Sequence, residues 1–311
     1  MKTRIMTVLD AAAGVFFKRE LEHVKKATYD IKYADLTYDK VFPVNADVNP
    51  GMTHITYYTY DKKGMAKVVM NYAGDLPRVD VDGKETTIPI RTLGAAFAYT
   101  IDEINSSKLV GKGLDRMRAN TARRAIEELM NKITWLGDAK SGLLGLFTHP
   151  NIPRGNAPNG VAGTPGWSTK TPAEIRSDIN LIFRTVFNTT KMVERPDTLL
   201  LTPTNYSIVM ETPMSSDNNT TIAQWFVQNS PWLKSTDNIV PVIELEGAGT
   251  GGANVAVAIT NRADKVQVEI PQDVYFHEAE KRSLEYITDA TARFAGLNVY
   301  YPLSMYILED V

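Results

Sequence analysis

A chain of 311 residues with 43% hydrophobic and 23% charged side chains can bury a sizeable core, in two domains or in one with large excursions. Its formal net charge of −2 argues against a dedicated nucleic-acid reader, which carries a basic domain or stripe. The absence of cysteine rules out disulfides and thiolate metal sites, and no stretch reaches the roughly 18 apolar residues that span a bilayer, so the sequence reads as soluble and suited to a reducing compartment.

Residues 1–45 mix charged and apolar groups without sustained periodicity, as in Val15-Phe16-Phe17 and then Tyr29, Ile31, Tyr33, Leu36 and Tyr38. A segment with so little core of its own is expected to lie along another surface, that of another subunit included. From Met52 to Ile104 strand formers dominate: His54 to Tyr60, Ala66 to Tyr72 and Val79 to Ile90. Breaks are expected at Asp61-Lys62-Lys63-Gly64, Gly74-Asp75-Leu76-Pro77 and Asp82-Gly83. Together they predict a long hairpin or meander, an arm too polar to bury itself and in need of a partner.

The strongest helical signal follows. Val110, Leu114, Met117, Thr121, Ala125, Leu129, Ile133 and Leu136 recur every three or four residues, with Ala122, Ile126 and Met130 widening the stripe, and predict one helix over about 108–136. Gly111 and Gly113 weaken its first turn, Glu128 and Lys132 are spaced as a favourable pair, and Arg116, Arg123 and Arg124 lie off the stripe. Residues 105–140 hold eight Lys/Arg against four Asp/Glu, whereas 141–311 hold twelve against eighteen. A solvated helix face explains that surplus best; weak contact with a polyanion is the second reading.

The helix ends at Gly137, a short apolar run Leu143 to Phe147 follows, and Pro150 to Gly166 reads as a loop. Thr171-Pro172-Ala173-Glu174 has capping-box spacing with proline at the first helical position, and Ile175, Ile179, Ile182, Phe183 and Val186 give the helix one apolar face. A strand at Thr198 to Leu201, a helix from Thr202-Pro203 and a helix over Thr221 to Gln228 come next. Strands at Ile239 to Leu245 and Val255 to Thr260 are expected to form a hairpin with Gly247 to Gly252 at its tip, all within a helix-flanked mixed sheet. From Lys265 the pattern is strand again, with long tracts Leu284 to Phe294 and Leu297 to Leu308 that pair with each other or pack on the long helix.

No chemistry converges. Gly247-Ala248-Gly249-Thr250-Gly251-Gly252 matches GxGxxG, but a strand pattern follows it, so no helix N-terminus would face a pyrophosphate. His23, His54, His149 and His277 lack a second ligand at metal spacing. Asp80/Asp82, Glu244/Glu246 and Glu278/Glu280 each put two acids on one strand face; a solvated face or an intersubunit ion pair outweighs a hydrolytic dyad. Tyr57, Tyr58, Tyr60 and Tyr72 on the arm, and Tyr300, Tyr301 and Tyr306 near the end, fit either an interface or simple β-propensity. No enzyme, cofactor or metal is expected.

The order of elements resembles the major capsid proteins of tailed phages, the Hong Kong 97-like α+β fold shared with encapsulins: an N-terminal arm, an extended hairpin, a long amphipathic helix, Gly142-Leu143-Leu144-Gly145-Leu146-Phe147, a helix-flanked inserted domain, and strands ending Tyr300-Tyr301-Pro302-Leu303-Ser304-Met305-Tyr306-Ile307-Leu308. The resemblance implies an N-terminal arm over 1–44, an E-loop over 45–93, a peripheral domain with a spine helix over 94–166, an axial domain over 167–264 and peripheral return strands over 265–311. It implies a shell around a double-stranded DNA genome, with a nanocompartment shell as the alternative. Tyr57, Tyr58, Tyr60, Lys62 and Lys63 would make intersubunit contacts, Gly247, Gly249, Gly251 and Gly252 an axial loop, and Arg116, Arg123 and Arg124 a basic interior face. Some relatives crosslink an E-loop lysine to an asparagine of another subunit, and Lys62, Lys63 and Lys67 lie in the right region. The implied partners are further copies of the chain in hexamers and pentamers, packaged DNA held without sequence preference, and scaffolding, portal and decoration proteins, with no membrane. Some relatives carry a scaffolding segment before the arm; the sequence begins too near the arm for one of full length.

Overall fold

The computed structural model describes residues 33–67, 78–110, 114–215 and 218–311. Outside them fall residues 1–32 of the expected arm, with His23; most of the Ala66 to Tyr72 strand; the Gly74 to Pro77 turn; Gly111 and Gly113; and, within the long helix, the side chain of Arg116. The chain divides into Met1–Asp35, of which only 33–35 are described, without helix or strand, and Leu36–Val311.

In the second unit Tyr38–Val41 forms a short helix, α1, and Val44–Asn45 a short strand, β1. Strands His54–Lys63 (β2) and Asp80–Pro89 (β3) pair antiparallel, from His54 opposite Pro89 to Lys63 opposite Asp80. Of the expected breaks, that at Asp61-Lys62-Lys63-Gly64 falls at its last residue, since β2 runs through Lys63 and Gly64 lies outside it, whereas that at Asp82-Gly83 is absent, because Gly83 stands directly opposite Tyr60 and the phenol ring fills the place of its missing side chain. An aromatic neighbour thus keeps a glycine in the ladder.

Strand Arg91–Thr100 (β4) runs straight into helix Ile101–Val110 (α2), so Ile101 to Ile104 are helical and not the strand end expected. The cause is local: the Glu103 N–H donates to Thr100 Oγ1 at 3.2 Å, and the Thr100 N–H donates to the Glu103 carboxylate at 3.1 Å. That reciprocal pair is a capping box. Helix Leu114–Leu136 (α3) follows. Its buried face is Ala122, Ile126, Met130 and Ile133, Trp135 is buried on another side of the last turns together with Asn131, and Met117, Leu129 and Leu136 are exposed. The core face is therefore the edge of the predicted stripe marked by Ala122, Ile126 and Met130, with Ile133, whereas the row of Met117, Thr121, Ala125, Leu129 and Leu136 is exposed. Gly137 closes the helix at φ 69°, its N–H donating to Ile133 C=O at 2.8 Å.

Thereafter come Arg154–Asn156 (β5), Pro172–Thr189 (α4), Thr198–Leu201 (β6), Pro203–Glu211 (α5), Pro213–Ser215 (β7), Asn218–Thr221 (β8), Ile222–Asn229 (α6), Ile239–Pro241 (β9), Val255–Ile259 (β10), Val266–Glu269 (β11), Gln272–Phe276 (β12), Glu280–Arg282 (β13), Glu285–Phe294 (β14), Gly296–Val299 (β15) and Met305–Glu309 (β16). At the start of α4 Glu174 accepts from the Thr171 N–H and hydroxyl, both at 2.8 Å, as its spacing predicted.

A five-stranded sheet in the order β5-β16-β10-β6-β9 is the wall between two cores. Strand alternation divides its side chains. Leu200, Val255, Val257, Ile259, Met305 and Ile307 face one core, shared with α3, β4, β11, β14 and β15. Leu199, Leu201, Ala256, Ala258 and Leu308 face the other, against α4, α5 and α6. A three-stranded sheet β1-β11-β15 and the long β4–β14 pair, with β12 and β13 on the far edge of β14, complete the larger core. The tracts Leu284 to Phe294 and Leu297 to Leu308 do not pair with each other: β14 pairs with β4, β15 with β11, and β16 with β10.

Candidate assembly surfaces

The β2–β3 ribbon pairs with no other strand among the described residues. Alternation sends its tyrosines two ways. Tyr57 turns inward, its ring edge-on to Tyr300 with centroids 5.0 Å apart. Tyr58 and Tyr60 turn outward, 62% and 67% exposed, with Val81 beside them at 53%. The two lysines divide likewise: Lys63 Nζ reaches Asp82 Oδ2 at 2.6 Å across the ribbon, whereas Lys62, on the outer face, makes no ion pair among the described residues.

At its base the ribbon is held by the Ile90 N–H donating to Thr53 C=O at 2.8 Å and by the Arg293 guanidinium donating to the carbonyls of Pro50 and, at 2.9 Å, Met52. Between the ribbon's inner face and the body runs a cleft of about 490 Å³, lined by Tyr57, Asp61, Lys84, Leu144, His149 and Tyr300 among others. Burial lowers the His149 pKa, so its imidazole stays neutral at neutral pH. Tyr300 donates to the buried Glu269 carboxylate at 3.0 Å, and burial followed by that charge pushes its pKa up.

A buried polar cluster ties the segment before α1 to α3. The Asn131 carbonyl oxygen accepts from the Tyr38 N–H at 3.1 Å and from Trp135 Nε1 at 3.3 Å, while its amide donates to Glu244. Thr37 Oγ1 donates to the same Glu244 at 2.9 Å.

Gly247, Gly249, Gly251 and Gly252 do not cap a hairpin, as expected from the sequence. The loop joins β9 to β10, which lie on opposite sides of β6 in the sheet. Gly247, Gly251 and Gly252 have φ of 64°, 73° and 85°, the left-handed region that glycine enters freely. The loop is anchored where the Thr250 N–H donates to Glu309 Oε2 at 2.9 Å, and Glu309 also takes Arg154 at 3.3 Å.

On α3, Arg123 lies 3.9 Å from Glu127 and 3.8 Å from Asp273, and Arg124 Nε donates to Glu128 at 2.8 Å. Glu128 thus serves Arg124 and not Lys132, and among the described residues of the helix Arg118, Arg123 and Arg124 each lie against a carboxylate. The acidic pairs do not form a dyad: Asp80, Asp82, Glu278 and Glu280 are all exposed, with Asp82 beside Lys63 and Glu280 3.8 Å from Arg282. Among the described residues no group of three or more His, Asp or Glu side chains is placed to hold a metal ion. None of their helices is long and apolar enough to cross a membrane.

Residues 64–311 match the sequence profile of the family described as major capsid protein. The chain belongs to that family. The fold agrees: the capsid of Myoviridae phage XM1 superposes with a TM-score of 0.82 at 17% identity, covering 96% of this chain and 99% of that one. A structure from Mycobacterium phage Ogopogo gives 0.63 at 11% identity over 96% and 100%, and the capsid of a native GTA particle 0.63 at 10% over 97% and 98%. No curated protein matches the sequence. The subunit therefore has the Hong Kong 97-like fold and forms capsid shells by association with its own copies; the nanocompartment alternative is not favoured.

One surface of the capsid subunit went unread in the sequence: Arg176, Asn180 and Arg184 on α4, with Trp225 and Trp232 beside them. The signal was present, since three polar residues four apart run along α4 off its apolar face, but nothing local indicates that two tryptophans reach them.

Proposed function

We propose that this subunit tiles an icosahedral shell around the double-stranded DNA of a phage, assembled in the host cytoplasm. In this reading residues 1–44 are the N-terminal arm, 45–93 an E-loop laid over a neighbouring subunit, 94–166 and 265–311 the peripheral region on α3, and 167–264 the axial region. Loops of the axial region, that of Gly247, Gly249, Gly251 and Gly252 among them, meet at the capsomer centre. Arg116, Arg123 and Arg124 face the packaged DNA, to which a mildly basic helix offers only non-specific attraction. Scaffolding, portal and decoration proteins are the further partners.

The observation that carries the reading is the β2–β3 ribbon. A two-stranded ribbon is marginal alone in water, and this one leaves Tyr58, Tyr60 and Val81 exposed on its outer face. Tyrosine suits a contact with one wet and one dry side. The test is electron microscopy of the purified protein across salt and protein concentration, with and without a scaffolding partner. Closed shells are expected; persistent monomers under every condition would sink the reading.

A further inference from the structure

Arg176, Asn180 and Arg184 succeed one another at four-residue steps on α4, and with Ser177, Trp225 and Trp232 they line a groove of about 480 Å³. The Arg176 guanidinium lies over the Trp225 ring, 4.6 Å from its centroid. Trp232 is fixed from below by Phe183, stacked at 6.0 Å, and by Phe187, edge-on at 5.3 Å. Neither arginine has a carboxylate within ion-pair distance among the described residues. Tryptophan and arginine are the side chains that dominate protein-binding hot spots, and here both kinds are held in place before any partner arrives.

Charge narrows the occupant. Residues 167–264 hold seven Lys/Arg against ten Asp/Glu, a setting that repels a long polyanion, whereas a short acidic segment can answer the two guanidinium groups, whose residues stand eight apart on α4, about 12 Å along the helix axis. The same stretch carries Glu211 and Glu246, both exposed and neither with a cation within ion-pair distance among the described residues. In a ring of like subunits, contacts join two different faces of each copy, so a groove on one face can meet acids on another. We propose that the α4–α6 groove docks an acidic segment of a second copy of this chain, its carboxylates set against Arg176 and Arg184 and the two indoles covered by the contact. The proposal rests on the shell reading above.

The four tryptophans supply the test. Trp135 and Trp167 are 0% and 1% exposed, so acrylamide quenching of the full-length protein reports mainly on Trp225 and Trp232. Quenching should fall severalfold when wild-type subunits assemble. Arg176→Glu/Arg184→Glu should keep the far-ultraviolet circular dichroism of the wild type and raise the concentration needed for assembly at least tenfold, and Glu211→Arg or Glu246→Arg should restore assembly to it. Wild-type shells with undiminished quenching would overturn the proposal and leave the shell reading intact; so would normal assembly of the doubly reversed variant. A fall in quenching caused by a double-stranded oligonucleotide on unassembled subunits would assign the groove to DNA and overturn it as well. If no particles form at all, the shell reading fails, and the second-copy occupant with it. The quenching arm needs no variant, so a misfolded substitution leaves the test standing.

Discussion

Lys170 and Asp178 meet at 2.5 Å where their side chains are 1% and 6% exposed, and Trp167 Nε1 donates to the same carboxylate oxygen at 3.0 Å. Burial pushes the Asp178 pKa up, and the Lys170 ammonium works against that rise. Removing one partner strands the other charge, so Lys170→Met should cost about 3–5 kcal/mol in urea unfolding, with Lys170→Met/Asp178→Leu recovering most of the loss. A different balance holds at Glu309. Burial acts to raise its carboxyl, but the Thr250 bonds and the Arg154 guanidinium outweigh it and hold the pKa below the ordinary value. A carboxyl lowered on folding stabilises above its unfolded pKa, near ~4.3, and the gain disappears as pH falls through the folded value. Thermal melts of wild type and Glu309→Gln should therefore differ by a constant amount from neutral pH down to that range and converge below it. Neither arrangement was legible in the sequence: Lys170 and Asp178 are eight positions apart on different elements, and Glu309 lies 59 from Thr250, so only the fold brings the partners together.

Helices announced themselves where their ends carry local chemistry. The Thr171 to Glu174 box and the apolar face behind it place α4; the same device at Thr100 and Glu103 opens α2, but it follows directly on the strand formers of β4, with no apolar helical face behind it to mark the change. For α3 the periodicity gave the element and, in Ala122, Ile126, Met130 and Ile133, part of its buried face, but drew that face too wide, because Met117, Leu129 and Leu136 are apolar and exposed while Asn131 is polar and buried. Hydrophobicity cannot separate a side chain that faces its own core from one left for a neighbour. Strand pairing was the least legible, since the partners of β9 and β10 are chosen by a third strand, β6, far away in sequence. That sheet has small residues where α4 crosses it: Ala256 and Ala258 are fully buried on the α4 side. Ala258→Leu should wedge helix from sheet and cost about 1–3 kcal/mol in thermal or urea unfolding.

At the scale of the molecule, arm and body divide the labour. Thr59 and Lys84 face each other across the ribbon, so joining them through an Asn-Gly turn shortens the arm without breaking its register. That deletion should leave the circular dichroism melt of the body little changed and abolish shells in electron micrographs. The body, by contrast, admits no such division. Residues 305–308 give Met305 and Ile307 to one core and Leu308 to the other, and β10 does the same with its valines and alanines. Neither half of the body can loosen without exposing the far side of the strands the other half stands on, so the two are expected to unfold together, with coincident transitions by tryptophan fluorescence and circular dichroism as the check. A growing lattice would then be offered bodies that are folded on both sides of the sheet or on neither.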